Sequence, residues 1–277
     1  MIDEVRADAP VPDVAVDASS MLAADAASRA RRIEEAGLNN LHTRRQLIYD
    51  GWLLFLLAGK AKRARSVNPH FASSLPLVRK IAHCETLYAR HGLSTLFRIT
   101  PFAQPPELDA VLESRGYVPF DRTLVQIASL RCAPAMRGDP EVALSSPLVE
   151  GFVEAVGEMR GSPGSQRDAH LERLVQSPLD VHAVVARRDG RVVGVGLVSI
   201  DDDCAGVFDV VTHEAHRRSG VATALVSTLL ARAWERGVKH AYLQVSADNA
   251  PAVALYRAFG FATSYAYHYR ARPHEVE

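Results

Sequence analysis

Cysteine is scarce in this sequence, with only Cys84, Cys132 and Cys204 among 277 residues. The three are odd in number, far apart and outside any C-x-x-C spacing, which argues against a disulfide framework and against a zinc site. We therefore expect three free thiols, buried or half-buried, in a reducing cytoplasm, and a protein that holds no metal.

The chain also lacks a net charge and a long apolar run. Lys+Arg and Asp+Glu number 32 each, so no long-range positive field attracts nucleic acid or an anionic membrane. The longest apolar run, residues 52–58, is far shorter than the ~20 residues that span a bilayer. Acids and prolines stand where an export signal would need a basic region and an apolar segment. We expect no nucleic-acid or membrane partner, and a cytoplasmic monomer or homodimer.

The pattern of apolar residues indicates a mixed α/β fold in two parts. A length of 277 residues with 48% hydrophobic residues suits one large or two ordinary domains. The first part predicts the order α-β-β-α-β-α-β, with a helix over about 20–36 and strands over QLIYDGWLLFLL and KRARSV. The second part repeats that order. We predict a disordered tail over 1–18, a domain over 19–130, a linker over 131–140 and a domain over 141–277.

The stretch HRRSGVATA, residues 216–224, forms a turn between a predicted strand and an amphipathic helix. The first amides of that helix and the positive end of its dipole favour a phosphate group. A Cβ at Gly220 would obstruct a pyrophosphate that approaches these amides. The small side chain of Ala222 leaves the next turn of the helix accessible for the same reason. Arg217 and Arg218 add positive charge. The spacing matches neither a P-loop nor a G-x-G-x-x-G dinucleotide turn.

The motif R-x-x-G-x-A, from Arg217 to Ala222, resembles the acetyl-CoA pyrophosphate loop of the GCN5-related N-acetyltransferases, the GNAT superfamily. About thirty residues later, ADNAPAVALYRAFGF is similar to the family's second segment, N-x-x-A-x-x-L-Y-x-x-x-G-F, and the predicted strand HAYLQV lies between the two motifs. The resemblance covers residues 141–270 in full element order. It implies a catalytic GNAT domain with a mostly antiparallel, twisted sheet flanked by helices, which takes acetyl-CoA as co-substrate.

The resemblance also assigns residues to the donor site. It implies that Tyr256 protonates the departing coenzyme A thiolate and that Asn249 contacts the pantetheine or phosphate arm; seven residues apart on a helix, the two share a face. The strand before the turn would pair with the pantetheine amides. The expected cofactor-binding residues are Val210, Val211, Thr212, Arg217, Arg218, Ser219, Gly220, Val221, Ala222 and Asn249.

The acceptor side of the reaction is less defined by sequence. The implied reaction is direct transfer of an acetyl group from acetyl-CoA to an amine, with Tyr256 and Asp209 as the catalytic candidates. Asp209 is a candidate base or amine-binding acid with Glu214 behind it, and a structural role for Asp209 stays open. The acceptor could be a small amine, an amino acid, an aminoglycoside-like compound or a protein amine. The alternative function is a non-catalytic acetyl-CoA-binding sensor or interaction module.

The first part of the chain resembles a degenerate second GNAT domain, as in tandem-GNAT proteins. Its PPELDAVLESRGY aligns with NAPAVALYRAFGF, but Leu112 stands in place of Tyr256 and Pro105 in place of Asn249. The segment NPHFASSLP has no glycine where the phosphate turn should be. We expect this part to bury an edge or face of the catalytic domain.

A second role for the first part is to line the acceptor channel. The residues that could do so are Arg63, Arg65 and Asn68, which lie in or directly after the predicted strand KRARSV.

Overall fold

The computed structural model describes residues 18–41, 43–59, 61–135, 137, 143–145 and 149–276. Residues 1–17 of the predicted tail and residues 136 and 138–140 of the predicted linker lie outside the described residues. We use "first half" for residues 18–135 and "second half" for residues 143–276.

The first half contains three helices and five strands among its described residues. In chain order they are α1 (Ala18–Asn39), β1 (Gln46–Tyr49), β2 (Trp52–Phe55), β3 (Ser66–Asn68), α2 (Leu77–Arg90), β4 (Leu96–Ile99), α3 (Leu108–Ser114) and β5 (Val118–Ser129). The predicted order of elements is therefore correct except near its start.

Two predicted strands of the first half were wrong in detail. QLIYDGWLLFLL is a hairpin and not one strand, because Asp50 and Gly51 both adopt positive φ, 43° and 82°, as a two-residue hairpin turn requires. Within KRARSV, Lys62–Arg65 is a 3₁₀ turn and only Ser66–Asn68 is a strand. The chain must reverse there, because β3 runs antiparallel to β2 in the same sheet.

The second half contains four helices and six strands among its described residues. In chain order they are β6 (Ala143–Ser145), α4 (Val149–Arg160), α5 (Gly164–Val175), β7 (Asp180–Arg188), β8 (Arg191–Asp201), β9 (Cys204–Thr212), α6 (Val221–Glu235), β10 (His240–Ser246), α7 (Ala250–Arg257) and β11 (Ala262–Ala271). The β7–β8 hairpin turns at the predicted Asp189-Gly190 pair, with φ of 49° and 76°.

The strands of both halves form one sheet of eleven strands within the described residues. Their order is β1-β2-β3-β4-β11-β5-β10-β9-β8-β7-β6. Only β3–β4 and β9–β10 pair in parallel, and the other neighbours are antiparallel. The halves exchange their last strands, because β5 lies between β10 and β11 while β11 lies between β4 and β5. The predicted mixed, mostly antiparallel fold is confirmed, with one continuous sheet where two were expected.

Helices cover both faces of this sheet. Side chains of α1, α4 and α5 share one core with strands of the second half, and α6 and α7 cover the opposite face of those strands. Helices α2 and α3 pack on the strands of the first half. Alternate residues of β8 belong to the two cores, since Val195 and Leu197 face one and Val198 and Ile200 the other.

The three cysteines are free, as expected, but Cys132 is exposed while Cys84 and Cys204 are buried. In the described part of the chain, no helix is long and apolar enough to cross a membrane. In the same residues, no group of three or more His, Cys, Asp or Glu side chains could hold a metal ion.

Candidate active site

The central feature of the site is an opening between β9 and β10. Their parallel pairing ends where Val207 faces Leu243, although β9 continues to Thr212. Beyond that point β9 bulges, because Leu197 of β8 faces Phe208 whereas Val195 already faces Val211. Asp209, in the bulge, has a φ of 52°. A bulge bends its strand, so the backbone edge of β9 from the bulge onward is left beside the opening.

The predicted phosphate turn lies at the end of β9 and begins α6. Gly220 precedes the helix in the left-handed region, with a φ of 85°, and Arg218 has a φ of 65°. The first backbone hydrogen bond of the helix runs from Ala224 N–H to the Gly220 carbonyl, at 2.9 Å. The amides before Ala224 therefore have no helical acceptor and are available to an anion. Ser219 Oγ donates to the His216 carbonyl at 2.8 Å, which fixes the turn.

A cavity of about 840 Å³ lies where β9, the turn and α7 meet. It is lined by residues 210–212, 216–218, 220–223, 249, 251, 252 and 254–256. Every predicted cofactor-binding residue lines it except Ser219, which instead holds the turn. Sequence reasoning missed His216 and Thr223 and the apolar side of α7. The i, i+3 and i, i+4 spacing of Pro251, Ala254 and Leu255 was the signal that could have found the apolar side of α7, whereas no such signal marks His216 and Thr223.

Tyr256 lies at one end of this cavity on α7. Its ring meets Phe261 edge to face, with centroids 5.9 Å apart. Burial raises the pKa of the Tyr256 phenol to about 12, so the hydroxyl keeps its proton at neutral pH. Asn249 also lines the cavity and is the N-cap of α7, where its Oδ1 accepts a hydrogen bond of 3.2 Å from Ala252 N–H. Cap formation holds this side chain in place beside the cavity.

A second cavity, of about 310 Å³, adjoins the first. Val210, Asn249, Ala252 and Tyr256 line both cavities. The remaining lining comes from residues 41, 61 and 63 of the first half and residues 160, 173, 207–209 and 244–246 of the second half. Both halves of the chain therefore contribute to this cavity. We call it the acceptor-side cavity.

Asp209 lies in the acceptor-side cavity with both carboxylate oxygens occupied. Arg160 Nη1 donates to Oδ1 at 2.9 Å, and His170 Nε2 lies 3.2 Å from Oδ2. Burial alone raises the pKa of Asp209, but the hydrogen bond from His170 and the charges of Arg160, His170 and Arg173 outweigh burial and hold the pKa well below its usual range. A carboxylate in this state accepts a proton poorly. Of the roles expected for Asp209, the environment favours structural or amine-binding work over general-base catalysis.

The three first-half residues expected at an acceptor channel lie in different places. Arg63 lines the acceptor-side cavity, with its guanidinium carbon 5.4 Å from the centroid of the Phe208 ring. Arg65 instead borders a separate cavity of about 630 Å³ between the halves. Asn68 lies in a small buried space beside Glu34 and Arg98. Arg160 and Arg173, which also line the acceptor-side cavity, were missed, because arginines on amphipathic helices look like a solvated face in sequence.

Comparison with known proteins gives a family match for most of the second half. Residues 153–261, which include the phosphate turn and all of α7, match the Acetyltransferase (GNAT) family. YobR, an uncharacterized N-acetyltransferase of Bacillus subtilis, is 28% identical over 230 residues, or 80% of this chain and 90% of the relative.

Solved structures agree on the fold. A GCN5-related N-acetyltransferase from Kribbella flavida has a TM-score of 0.64 at 20% identity, over 88% of this chain and 95% of that one. A tandem GNAT protein from the clavulanic acid biosynthesis pathway has a TM-score of 0.55 at 20% identity, over 68% of this chain and 67% of that one. Residues 153–261 therefore match the acetyltransferase (GNAT) family, and the chain as a whole has the fold of solved GNAT structures.

Proposed function

We propose that this chain transfers an acetyl group from acetyl-CoA directly to an amine. The observation that carries the proposal is the meeting of two cavities at Tyr256, one suited to a phosphate-bearing donor and the other open to an acceptor. A direct transfer needs both substrates at one point, with the reacting atoms about 3–3.5 Å apart.

The donor is held by backbone more than by side chains. The pyrophosphate binds the free amides at the start of α6, where the helix dipole and the guanidinium groups of Arg217 and Arg218 favour negative charge. The pantetheine lies along the bulged edge of β9 from Asp209 to Val211, and its amides pair with that edge as an added strand would. The opening between β9 and β10 supports this arrangement, because no strand of the described residues pairs with that edge beyond Val207.

In the proposed reaction the neutral amine attacks the thioester carbonyl, a C–N bond forms and the C–S bond breaks. The amine loses one proton to water in the acceptor-side cavity, and the leaving thiolate takes one proton from the Tyr256 hydroxyl. Solvent then returns a proton to the phenolate. With a pKa of about 12, the Tyr256 phenol is fully protonated before the reaction, so its proton is present for transfer to the thiolate.

The experiment that tests this proposal measures thiol release from acetyl-CoA in the presence of a broad amine panel. Mass spectrometry of the amines should show acetylated product in an amount equal to the thiol released. A non-catalytic sensor would bind acetyl-CoA by calorimetry and yet release no thiol with any amine, which would contradict the proposal.

A further inference from the structure

The acceptor-side cavity has an excess of positive charge. Its charged lining residues are three arginines, Arg63, Arg160 and Arg173, and a single carboxylate, Asp209. The narrow space of about 110 Å³ that adjoins it adds His170 but no further carboxylate. Two guanidinium charges are therefore left without an acidic partner in the cavity wall.

Asp209 cannot neutralise these two charges, because its oxygens already contact Arg160 and His170 at 2.9 and 3.2 Å. The Arg63 guanidinium lies 5.4 Å from the Phe208 ring centroid, and its buried Nη1 has no hydrogen-bond partner among the described residues. A buried donor that is left unpaired costs free energy, and an anionic acceptor would recover it.

Arg173 lines the same cavity. Burial lowers the pKa of its guanidinium, Asp209 raises it, and the charges of Arg63 and Arg160 lower it further. Arginine nevertheless keeps its proton in proteins. Two cations that repel each other inside a small cavity form a site for an anion, and the planar guanidinium matches a carboxylate best.

The position of this site limits the ligand. The cavity meets the donor cavity at Tyr256, so an acceptor that fills it presents its other end to the thioester. Its volume of about 310 Å³ is at the lower end of the ~300–1,000 Å³ typical of ligand pockets. A small molecule suits this space better than a protein substrate.

Resting on the proposed function, we infer that the acceptor is a small amine that also carries a carboxylate, which Arg63 and Arg173 bind while the amine faces the donor near Tyr256. The transfer forms an N-acetylated amino acid and free coenzyme A thiol, with the proton movements given above. The inference also gives the first half a part in recognition, because Arg63 comes from its 3₁₀ turn.

The test compares free amino acids, both α- and ω-amino, with the primary amide of each, as acceptors with acetyl-CoA. The amide keeps size and shape and removes the negative charge. Its amine is also less basic and hence more often neutral, which by itself favours the amide. We expect the best free acid to have a kcat/KM about tenfold or more above that of its amide.

Variants then locate the preference. Arg63→Gln and Arg173→Gln should each reduce the acid-to-amide ratio toward one, mainly through KM. Arg232→Gln is the matched control, because Arg232 is exposed on α6 and pairs with Glu235 at 3.7 Å, outside the cavity. Unchanged acetyl-CoA binding and an unchanged unfolding temperature show that a variant is folded.

The outcomes separate this inference from the proposed function. Amides and simple amines that react as well as the acids, or a ratio unchanged in both cavity variants, would overturn the carboxylate site while the transferase function stands. Calorimetric titration of the same pairs into the protein with bound coenzyme A tests the site without catalysis. If no thiol is released but the acids still bind in preference to the amides, the site is supported and the proposed function fails. Equal or absent binding of acids and amides overturns the site.

Discussion

The hydroxyl of Tyr265, in the last strand, donates a hydrogen bond of 2.7 Å to Glu34 of the first helix. The same carboxylate accepts from Arg98 of β4, with Nη2 3.0 Å from Oε2, and both charged side chains are only 2% exposed. Arg98 also lies over the Tyr267 ring, at 3.9 Å from the centroid. This buried network joins α1, β4 and β11, so the Tyr265 hydrogen bond and the Arg98–Tyr267 ring contact link the two halves in addition to the exchanged strands.

Glu34→Gln should strongly destabilise the protein. The variant keeps the shape of the side chain but leaves the Arg98 guanidinium buried without a counter-charge, and breaking a buried ion pair costs about 3–5 kcal/mol. Urea unfolding measures the change. Asp121→Asn is the control, because it removes an exposed pair with Lys62 that is worth at most about 1 kcal/mol. Similar losses in both variants would contradict the importance of the network.

The sequence predicted most residues that line the first cavity but few that line the acceptor-side cavity, for a physical reason. The phosphate turn and α7 are local features, since Gly220 and Asn249 act through the backbone next to them. The cavity that contains Arg63 and Arg173 is formed only when strands distant in sequence meet. Alternation along β5 and β11 shows which side chains are buried but not which strand lies beside them, so the exchange of these strands could not be predicted. The predicted domain bounds stay a prediction.

Gly220→Val should weaken acetyl-CoA binding by about tenfold or more, or about 1.4 kcal/mol. A branched side chain there obstructs the amides at the start of α6, and isothermal titration calorimetry measures the loss. Because Gly220 has a φ of 85°, valine also adds strain of about 1–2 kcal/mol.

Gly237→Val is the matched control for strain. Gly237 follows α6 at its far end, has a φ of 79°, and an added Cβ there would meet no atom within 4 Å. We expect both variants to lose stability and only Gly220→Val to lose acetyl-CoA. Normal binding by Gly220→Val would show that the turn does not hold the pyrophosphate.

Tyr256→Phe should lower turnover by about 10²-fold or more and leave acetyl-CoA binding intact, since a general acid contributes about this much. The ring and its contact with Phe261 stay in place, so stability changes little. The pKa of about 12 for Tyr256 predicts that kcat does not fall through loss of this proton up to about pH 10. Tyr49→Phe, in the first half, is the control. An unchanged kcat in Tyr256→Phe, measured where chemistry limits the rate, would assign the residue to packing alone.

Asp209→Asn should reduce stability by about 1.5–3 kcal/mol at neutral pH, because it weakens the charge-assisted hydrogen bond from Arg160 and the close contact with His170. The folded-state pKa of Asp209 is depressed, so its contribution is fully present above the unfolded value of about 3.9 and is lost as pH falls toward the folded value. The two proteins should therefore converge in stability only in acid, as denaturant unfolding at several pH values would show. If kcat/KM of the native protein decreases on the acid side of neutral pH and this decrease is absent in Asp209→Asn, Asp209 acts as a base instead.

Each chain should bind one acetyl-CoA, because the loop directly before the matching helix of the first half already binds a carboxylate of the chain. The Asp50 carboxylate accepts hydrogen bonds from the Ser74 amide at 3.0 and 3.1 Å and from the Leu75 amide at 2.9 Å, directly before α2. Lys80 Nζ lies 3.2 Å from the same carboxylate. The hydrogen bond from Leu75 is the largest of several contacts that hold the pKa of Asp50 well below its usual range. The chain's own anion thus takes the place that a phosphate would need.

Calorimetric titration of acetyl-CoA into the full chain tests this stoichiometry. One site per chain is expected, and Gly220→Val should weaken that single site without exposing another. In the first half, β3 is followed directly by Pro69, which has no amide hydrogen to offer a phosphate. Asp50→Asn would keep the turn but remove the competing charge. It should still give one site, because the segment 68–76 contains no glycine that would open its backbone to a phosphate. Two sites in the native chain, or binding that persists unchanged in Gly220→Val, would show that the first half is a working donor site.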